Sequence, residues 1–418
     1  MIVVILSSIP TSIIIMSFLY GLTTLYSLAK DLKKRIWVDP SINQLKSDIN
    51  SLPRIAILIP LYKEDRHSIE VTFTSLVNQI YPPDKLSVFI ILENGDEDTK
   101  KYAEELKNIL TNMKITVNMH VNNGKRVSKA TAVNSILPKI INDYGAIMIL
   151  DAGDKIQDQY YILKCADMIR KGYNIIGTKV YRVGENLIAK FSYIDTLLWY
   201  NISFPAIHSI TRVPFLSGEG MVVSSHFIKR IGRLPEVLAE DSYTAMIGFI
   251  YGEKVGFINS VILEGAPSTF VSLFKQRLRW YRGGIECLKD FIMKYHRKVK
   301  LYVMARVCFA YLQTVALTAP FISLLIITLS LFIDIPSILV TLAKIEIVSI
   351  FLSPLALYFV NDVKDLSLFL APMNWFLQSF IAFIALIPIK ITWLRTPSRS
   401  NVNMVSYVTS IKRVQSKP

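Results

Sequence analysis

Carboxylates that directly follow apolar runs are the residues of this sequence best suited to chemistry. The stretch MILDAGD places Asp151 and Asp154 at the end of one such run. Two carboxylates at a strand end can hold a hard cation such as Mg²⁺ or Mn²⁺, and such a cation bridges the diphosphate of a nucleotide. An aspartate at this position can equally be a turn or helix-cap residue. The residues alone leave both interpretations open.

A second acidic pair, Glu240 and Asp241, precedes a stretch of helical character, TAMIGFIYG. Carboxylates in the first turn of a helix stabilise it through the helix dipole, which is the structural interpretation. The functional interpretation is a general base that takes the proton of an acceptor hydroxyl, a role worth on the order of 10² to 10⁴ in rate. Asp241 is therefore a candidate base.

Two further groups have the composition of binding sites. The acidic turn from Glu93 to Asp98 follows an apolar run and can place carboxylate and amide groups against a base and a ribose. Its structural interpretation is a solvated helix start. The sequence QRLRW, residues 276–280, combines an amide, two arginines and a tryptophan. A tryptophan beside arginine can also simply anchor a protein at a membrane interface.

The elements that must position these residues follow from hydropathy. Short apolar runs alternate with stretches of helical spacing between residues 55 and 150. We predict strands at 55–60, 87–92, 114–120 and 146–150, and helices at 68–80, 98–111 and 128–142. A β-α-β series of this kind is typical of a mainly parallel sheet, which binds ligands beyond the carboxyl ends of its strands. The acidic groups after the second and fourth strands are expected at that edge.

The first 29 residues predict a membrane span. They carry no charged side chain, and a helix needs about 20 apolar residues to cross a bilayer. A secretory signal peptide would instead have a basic stretch before a shorter apolar run. Here a basic cluster comes after the run: Lys30, Lys33, Lys34 and Arg35. By the positive-inside rule, the region that follows is cytoplasmic.

Three later apolar stretches, 307–333, 335–360 and 366–392, are further candidate spans. The second contains Lys344 and Glu346, and charges inside a membrane are costly unless they face a protein interior. The basic amphipathic stretch that precedes all three, residues 274–300, suits a membrane surface. The composition, with 52% hydrophobic residues and a mean hydropathy of +0.38, agrees with a multi-pass membrane protein.

We expect the 366–392 stretch to be re-entrant or interfacial. Pro372 and Pro388 interrupt it, and Asn374 and Gln378 add polar groups. Four full crossings would place the tail outside, whereas its charges place it inside by the positive-inside rule. These tail cations are Arg395, Arg399, Lys412, Arg413 and Lys417.

The net charge of +15 does not by itself indicate nucleic-acid binding, because a cytoplasmic domain that faces anionic lipid is commonly basic. The sequence contains no nucleic-acid-binding motif, and no nucleic-acid partner is expected. Cys165, Cys287 and Cys308 have no CxxC spacing. They predict neither a disulfide framework nor a structural zinc site.

Taken in order, these features resemble the family 2 glycosyltransferases with a GT-A fold. Within that family they are most similar to the membrane-integrated branch of cellulose, chitin, hyaluronan and poly-N-acetylglucosamine synthases. IAILIPLYKED resembles the opening strand of the family and the loop after it, and KATAVN and FLSGEG resemble its lysine helix and acceptor-side loop. SLVNQIYP is similar to S-L-x-x-Q-x-Y-P, and QRLRW matches Q-x-x-R-W. WLRT, at 393–396, resembles a cytoplasmic element of related synthases.

The resemblance implies a role for each candidate residue. Glu93, Asp98 and Lys129 would bind the nucleotide, Asp151 would be the first metal carboxylate, and Asp241 would be the base, with Glu240 on the acceptor side. Gln276 and Arg279 would contact the diphosphate, and Trp280 would stack on the acceptor sugar. In-line displacement would then invert the anomeric centre. Two positions depart from the family pattern: Glu93-Asn94 replaces a pair of aspartates, and Gly153 stands where the second metal carboxylate is expected, so that Asp154 is the nearest substitute.

The expected protein is thus an α/β GT-A domain with a mainly parallel sheet, joined to a helical transmembrane region in the cell membrane. The expected segments are a transmembrane helix at 1–30, the GT-A domain at 54–265, interface helices at 266–300, a transmembrane or re-entrant region at 301–394 and a basic cytoplasmic tail at 395–418. The expected donor is a UDP-sugar, and the acceptor is a growing glycan that is extruded through the helices. Single-sugar transfer to a lipid-linked acceptor and a catalytically weak membrane scaffold are the alternatives.

Overall fold

A computed structural model describes residues 2–41, 51–124, 128–360 and 366–388 of the chain. The described residues form two compact units. The sheet unit comprises Lys34–Tyr181 and Val213–Glu264. The helical unit comprises the residues up to Lys33, the segment Arg182–Arg212 and the residues from Gly265 onward. The predicted tail at 395–418, with WLRT before it, lies outside the described residues.

Eight strands form one sheet in the order β3-β2-β1-β4-β7-β6-β8-β5. They are β1 Ile55–Pro60, β2 Leu86–Glu93, β3 Thr116–Asn122, β4 Ala146–Ile149, β5 Lys155–Ile156, β6 Ile175–Val183, β7 Val222–Ser224 and β8 Val255–Gly265. The four predicted strands are confirmed and pair in parallel, with β1 between β2 and β4. Every residue of β1 is buried, as expected for a strand covered on both faces.

The prediction of a mainly parallel sheet is wrong beyond β4. Strand β7 is antiparallel to both β4 and β6, and β5 is antiparallel to β8, so the sheet is mixed. The hydropathy pattern identifies strands but not their direction. That direction depends on the long connection at 184–212, which leaves the sheet unit and returns to it before β7.

The helices that follow the parallel strands begin where side chains cap them. Both carboxylate oxygens of Asp65 accept hydrogen bonds from Ser68, one from its amide at 2.8 Å and one from its hydroxyl at 2.7 Å. Ser128 forms a capping box with Thr131 before Lys129. The helices of the sheet unit are Arg66–Val77, Glu97–Leu106, Asn108–Thr111, Lys129–Asn134, Leu137–Ile140, Tyr161–Arg170, Ser225–Ile231 and Glu240–Ile250, after a short turn at Lys33–Ile36.

The helical unit contains the apolar helices. A buried cluster joins Ile13 and Ile14 of the first helix to Ala319, Ile326, Leu339 and Ala343. The helices of this unit are Ile2–Ala29, Leu187–Leu198, Phe204–Thr211, Phe270–Tyr295, Leu301–Tyr311, Gln313–Ala316, Ala319–Leu329, Ser337–Val360 and Ala371–Leu386, with a π-helical turn at Trp199–Ser203 and a 3₁₀ turn at Leu366–Leu370.

Within the described residues, three helical stretches are long and apolar enough to cross a membrane: Ser7–Ala29, Ser337–Leu355 and Leu366–Leu386. A fourth candidate, Leu301–Ala316 followed by Ala319–Leu329, is bent by 47°. The prolines that motivated the re-entrant prediction lie at helix ends. Pro372 is in the first helical turn, where proline is tolerated, and the helix ends at Leu386 before Pro388. The bend therefore falls in 301–329, where a straight span was expected, and the number of crossings stays a prediction.

Candidate active site

Glu93 and Asn122 are the last residues of two neighbouring parallel strands, β2 and β3, and they are paired in register. The Nδ2 group of Asn122 donates a hydrogen bond to Oε2 of Glu93 at 2.9 Å, and both side chains are buried. The Oδ1 atom of Asn122 accepts from the amide of Gly124 at 3.1 Å. Glu93 stands where the family pattern has an aspartate. Its carboxylate lies at the carboxyl end of β2, where the side-chain amide of Asn122 holds it.

Asp98, the other carboxylate predicted near the nucleoside, is exposed in the first turn of the helix Glu97–Leu106. The neighbouring Asp96 carries the structural contact instead, because its carboxylate accepts the backbone amide of Lys63 in the loop after β1. Thr99 likewise accepts the amide of Glu64 at 3.0 Å. The acidic turn therefore joins two strand-end loops through Asp96, which lies in the predicted turn but was given no role, and Thr99, which was not predicted.

Lys129 lies among carboxylates. Its Nζ atom is 3.1 Å from Oδ1 and 3.2 Å from Oδ2 of Asp151, and 3.9 Å from Oε1 of Glu240. Burial alone would lower the pKa of Lys129, but the charges of Asp151, Glu240, Glu219 and Asp241 raise it above its usual value. The lysine is therefore a fixed positive charge, and the structure brings together the predicted residues 129, 151, 240 and 241.

Asp241 is in the first turn of the helix Glu240–Ile250, as the helix-start interpretation requires. Its Oδ1 atom accepts the backbone amide of Ser242 at 2.7 Å. A Cβ atom added to Gly218 would lie 3.6 Å from Oδ2 of Asp241 and only 2.5 Å from Nζ of Lys129. Glycine at 218 therefore leaves the space that the ammonium group occupies.

The geometry of the DAGD turn accounts for glycine at position 153, where the family resemblance implies a second metal carboxylate. Gly153 has φ +93°, a conformation that an aspartate adopts only with strain. Its amide is 2.9 Å from both the carbonyl oxygen of Ser68 and Oγ1 of Thr72. The turn is thus anchored to the helix Arg66–Val77 by a backbone geometry that requires glycine.

Asp154 faces the interior of the turn. It is fully buried, and its Oδ2 atom accepts the amide of Asp151 at 2.7 Å. Burial, followed by the charges of Asp151, Glu219 and Glu264, raises the pKa of Asp154 well above its usual value. In contrast, the side chain of Asp151 is 22% exposed. Of the two aspartates, only Asp151 is placed to meet a ligand directly.

Glu219 and Glu264 were not predicted as site residues. Both are buried, at 8% and 2% exposure, and both act on Asp154 electrostatically. Glu219 is part of FLSGEG, so the motif contained the signal. Glu264 ends an apolar run in β8, which is the criterion that identified Asp151.

The QRLRW residues belong to the helical unit, on the helix Phe270–Tyr295. Arg277 is its fully buried member: Nη1 donates to Oε1 of Gln276 at 2.7 Å, and Nη2 is 2.9 Å from Oδ2 of Asp195. The Trp280 ring centroid is 4.1 Å from Cζ of Arg277 and 4.4 Å from Cζ of Arg182, which is cation-π geometry.

Sequence reasoning missed Arg277 because the Q-x-x-R-W pattern leaves its position open. Arg279, the arginine of the pattern, is partly buried, and its Nε atom has no hydrogen-bond partner among the described residues. The motif therefore uses its two arginines differently. Arg277 contacts Gln276, Asp195 and Trp280, whereas the role of Arg279 at the diphosphate stays a prediction.

Residues 53–283 match the family described as glycosyltransferase like family 2. A probable glycosyltransferase from Bacillus subtilis is 22% identical over 262 residues, which are 62% of this chain and 61% of that relative. A poly-beta-1,6-N-acetyl-D-glucosamine synthase from Staphylococcus epidermidis is 25% identical over 298 residues, or 68% of each chain.

The structure of a mannosyltransferase from Pyrobaculum calidifontis, in complex with GDP-Man and Mn²⁺, superposes with a TM-score of 0.62. Its sequence identity is 17%, and the match covers 91% of this chain and 97% of that one. The similarity confirms a GT-A-like glycosyltransferase fold, with the mixed sheet described above. The chain belongs to the glycosyltransferase like family 2 and carries that family's glycosyltransferase domain.

Proposed function

We propose that the protein is a membrane-embedded, inverting glycosyltransferase that moves a sugar from a nucleotide-sugar donor to a growing glycan. One observation carries the proposal. In the sheet unit of a family 2 domain, a single lysine, Lys129, is surrounded by Asp151, Glu240, Glu219 and Asp241. Such a cluster combines a candidate base, a candidate metal carboxylate and a fixed positive charge.

The donor end of the site is proposed at the carboxyl ends of β2 and β3. Glu93, held by Asn122, can accept hydrogen bonds from a nucleobase or ribose. Lys129 supplies positive charge for the nucleotide phosphates. Asp98, which is exposed, is also proposed near the nucleoside. A UDP-sugar is the proposed donor class.

The residues present fit a hard divalent cation, Mg²⁺ or Mn²⁺. Hard cations prefer carboxylate oxygens, and magnesium in nucleotide sites is commonly held by one or two carboxylates together with substrate phosphates. Asp151 is the part-exposed carboxylate that would hold the cation. Asp154 would position Asp151 by accepting its backbone amide. When bound, the cation would neutralise charge on the leaving diphosphate.

Asp241 is the proposed base. An ionised carboxylate can accept the proton of the acceptor hydroxyl as that oxygen attacks the anomeric carbon. The bond to the amide of Ser242 holds one oxygen of this carboxylate in place. A single displacement inverts the anomeric centre, so an α-linked donor gives a β-glycoside. Glu240, beside it, is proposed on the acceptor side.

In the helical unit, the QRLRW residues are proposed to have the roles that the family resemblance implies. Gln276 and Arg279 would contact the diphosphate, and Trp280 would stack on the acceptor sugar. Three helices apolar enough to cross a membrane support a multi-pass protein that touches membrane lipids. We propose that the sheet unit faces the cytoplasm and that the product is extruded through the helices.

Product analysis tests this proposal. Purified protein in nanodiscs is incubated with a panel of radiolabelled sugar nucleotides, with and without a lipid extract as acceptor source. The proposal predicts a nucleotide-dependent, β-linked polymer. A single sugar on a lipid would support transfer to a lipid-linked acceptor, and binding without transfer would support the scaffold.

A further inference from the structure

Tyr281 and Arg282 directly follow the QRLRW motif, and both are hydrogen-bonded to the helix Ala371–Leu386, termed the latch helix. The hydroxyl of Tyr281 donates to Oε1 of Gln378 at 2.6 Å. Nη1 of Arg282 is within hydrogen-bond distance of the carbonyl oxygens of Ala385, at 2.9 Å, and Ile387, at 3.2 Å. The helix Phe270–Tyr295, termed the motif helix, is therefore hydrogen-bonded to the latch helix through two residues that directly follow the motif.

The Gln378 end of the first tie is buried. Gln378 is 1% exposed, and its Nε2 group donates to Oδ1 of Asn374, which is fully buried, at 3.1 Å. Hydrogen bonds that water cannot replace are costly to break, because each buried group left unpaired keeps its desolvation penalty. A rotation of either helix that separated Tyr281 from Gln378 would therefore be unfavourable.

The second tie satisfies a helix end. The last carbonyl groups of a helix lack partners inside it, and the latch helix has no basic residue in its own last turn. Arg282, on the motif helix, places a positive charge at this C-terminal end. A positive charge there is stabilised by the negative end of the helix dipole. Gln378 and Ala385 are about 10 Å apart along the helix at ~1.5 Å per residue. Two ties with this separation restrain both rotation and sliding.

We propose that Gln378 is a positioning residue for glycosyl transfer. It acts through Tyr281 on the orientation of the motif helix, and so on Gln276, Arg277 and Trp280, which precede Tyr281 by five residues or fewer. The latch helix, otherwise only a candidate membrane span, thereby contributes to the transfer step. This inference rests on the proposed function, because it assigns a further residue to that reaction.

The test compares Tyr281→Phe, Gln378→Met and their double variant with a matched control, Ser379→Ala. Ser379 is the next residue on the latch helix and is also fully buried, but its hydroxyl oxygen accepts the amide of Phe321 at 2.9 Å, on a different helix. All variants are reconstituted in nanodiscs. The measurements are transfer rate, nucleotide release without transfer, donor Kd and thermal midpoint.

Gln378→Met should lower transfer roughly tenfold, since a misplacement of ~1 Å in a positioned group costs up to about 100-fold. Nucleotide release relative to transfer should rise, and donor Kd should rise by a smaller factor than transfer falls, because Gln276 moves with the motif helix whereas Glu93 and Lys129 of the sheet unit are unchanged. The double variant should be no worse than the more affected single variant, since both changes remove the same bond. Ser379→Ala should leave the ratio of release to transfer at the wild-type value.

Two results would overturn the inference while the proposed function stands. One is that Gln378→Met and Tyr281→Phe transfer sugar at the wild-type rate and have the same ratio of nucleotide release to transfer as Ser379→Ala. The other is a double variant whose loss is the product of the two single losses. Absence of transfer in the wild type would instead count against the proposed function itself.

Discussion

The ammonium group of Lys129 bridges both carboxylate oxygens of Asp151, at 3.1 and 3.2 Å. Lys129 is the first residue of the helix that follows β3, and Asp151 lies in the turn between β4 and β5, so two separate connections create the pair. The lysine thereby neutralises the one candidate metal carboxylate that is part exposed. A nucleotide diphosphate and its cation would provide each partner with a new counter-charge.

Gly218→Ala should lower transfer activity with little change in the stability of the protein. The added Cβ would lie 2.5 Å from Nζ of Lys129, but that atom is the end of a flexible side chain and can move away. We expect transfer to fall by tenfold or more, while unfolding free energy changes by about 1 kcal/mol or less. Activity and thermal midpoint are the measurements. The control is Gly21→Ala, at a helix position with nothing within 4 Å. A Gly218→Ala enzyme as active as Gly21→Ala would contradict the role given to Lys129.

Asp151 and Asp154 should differ in metal dependence. Asp151→Asn weakens the proposed ligand and should raise the concentration of Mg²⁺ or Mn²⁺ needed for half-maximal transfer by tenfold or more. Asp154→Asn keeps an oxygen that can accept the Asp151 amide, so its metal requirement should stay near wild type. Metal titrations of transfer after chelator treatment decide the matter. If Asp154→Asn alone abolishes activation by metal, Asp154 is a direct ligand and the supporting role is wrong.

Arg277 should be sensitive even to a conservative change. Its fully buried guanidinium contacts Gln276, Asp195 and Trp280, and lysine cannot reproduce the planar fork that reaches all three. Arg277→Lys should destabilise the protein by about 2 to 4 kcal/mol and reduce transfer. The exposed Arg233, paired with Glu236 at 3.6 Å, offers the control, since losing such a surface pair costs at most about 1 kcal/mol. Thermal unfolding that is equal in Arg277→Lys and Arg233→Lys would disprove the organising role.

The topology is testable by reporter fusions. Basic residues follow the first apolar helix rather than precede it, and the chain end is basic, so fusions within 96–100 and at Pro418 should both report a cytoplasmic location. A periplasmic-type signal at Pro418 together with a cytoplasmic signal at 96–100 would require an odd number of crossings after the first helix, where an even number is predicted. Four full crossings would then be restored, which would contradict the re-entrant prediction for 366–392 and make the bent stretch 301–329 a full crossing as well.

Position at strand ends was predictable, whereas side-chain direction was not. Glu93 and Asp151 stand directly after apolar runs, and parallel strands bring such ends to one edge, so their placement follows from periodicity. That Asp154 points inward depends on the left-handed backbone of Gly153, which one sequence does not reveal. Arg277 was missed for a related reason: its partner Asp195 is on a different helix, and hydropathy carries no information about which buried charges pair.

The direction of the later strands and the position of the helix bend were not predicted for one reason: both depend on how segments distant in sequence pack together. Pro372 looked like an interruption because proline breaks helix interiors, but the helix begins one residue before it. Whether Pro372 interrupts a helix depends on where the helix begins. The apolar run that starts at 366 does not indicate a helix start at Ala371.

Replacing Asp241 by asparagine tests the central claim most directly. Asp241→Asn keeps the shape of the side chain and an oxygen for the amide of Ser242, but it removes the ability to accept a proton. Transfer, measured at saturating sugar nucleotide with donor Kd determined in parallel, should fall by roughly two to four orders of magnitude while donor Kd stays close to wild type. The exposed Asp84→Asn change, in the same unit, should leave both quantities unaltered. Transfer by Asp241→Asn at the wild-type rate would contradict the account.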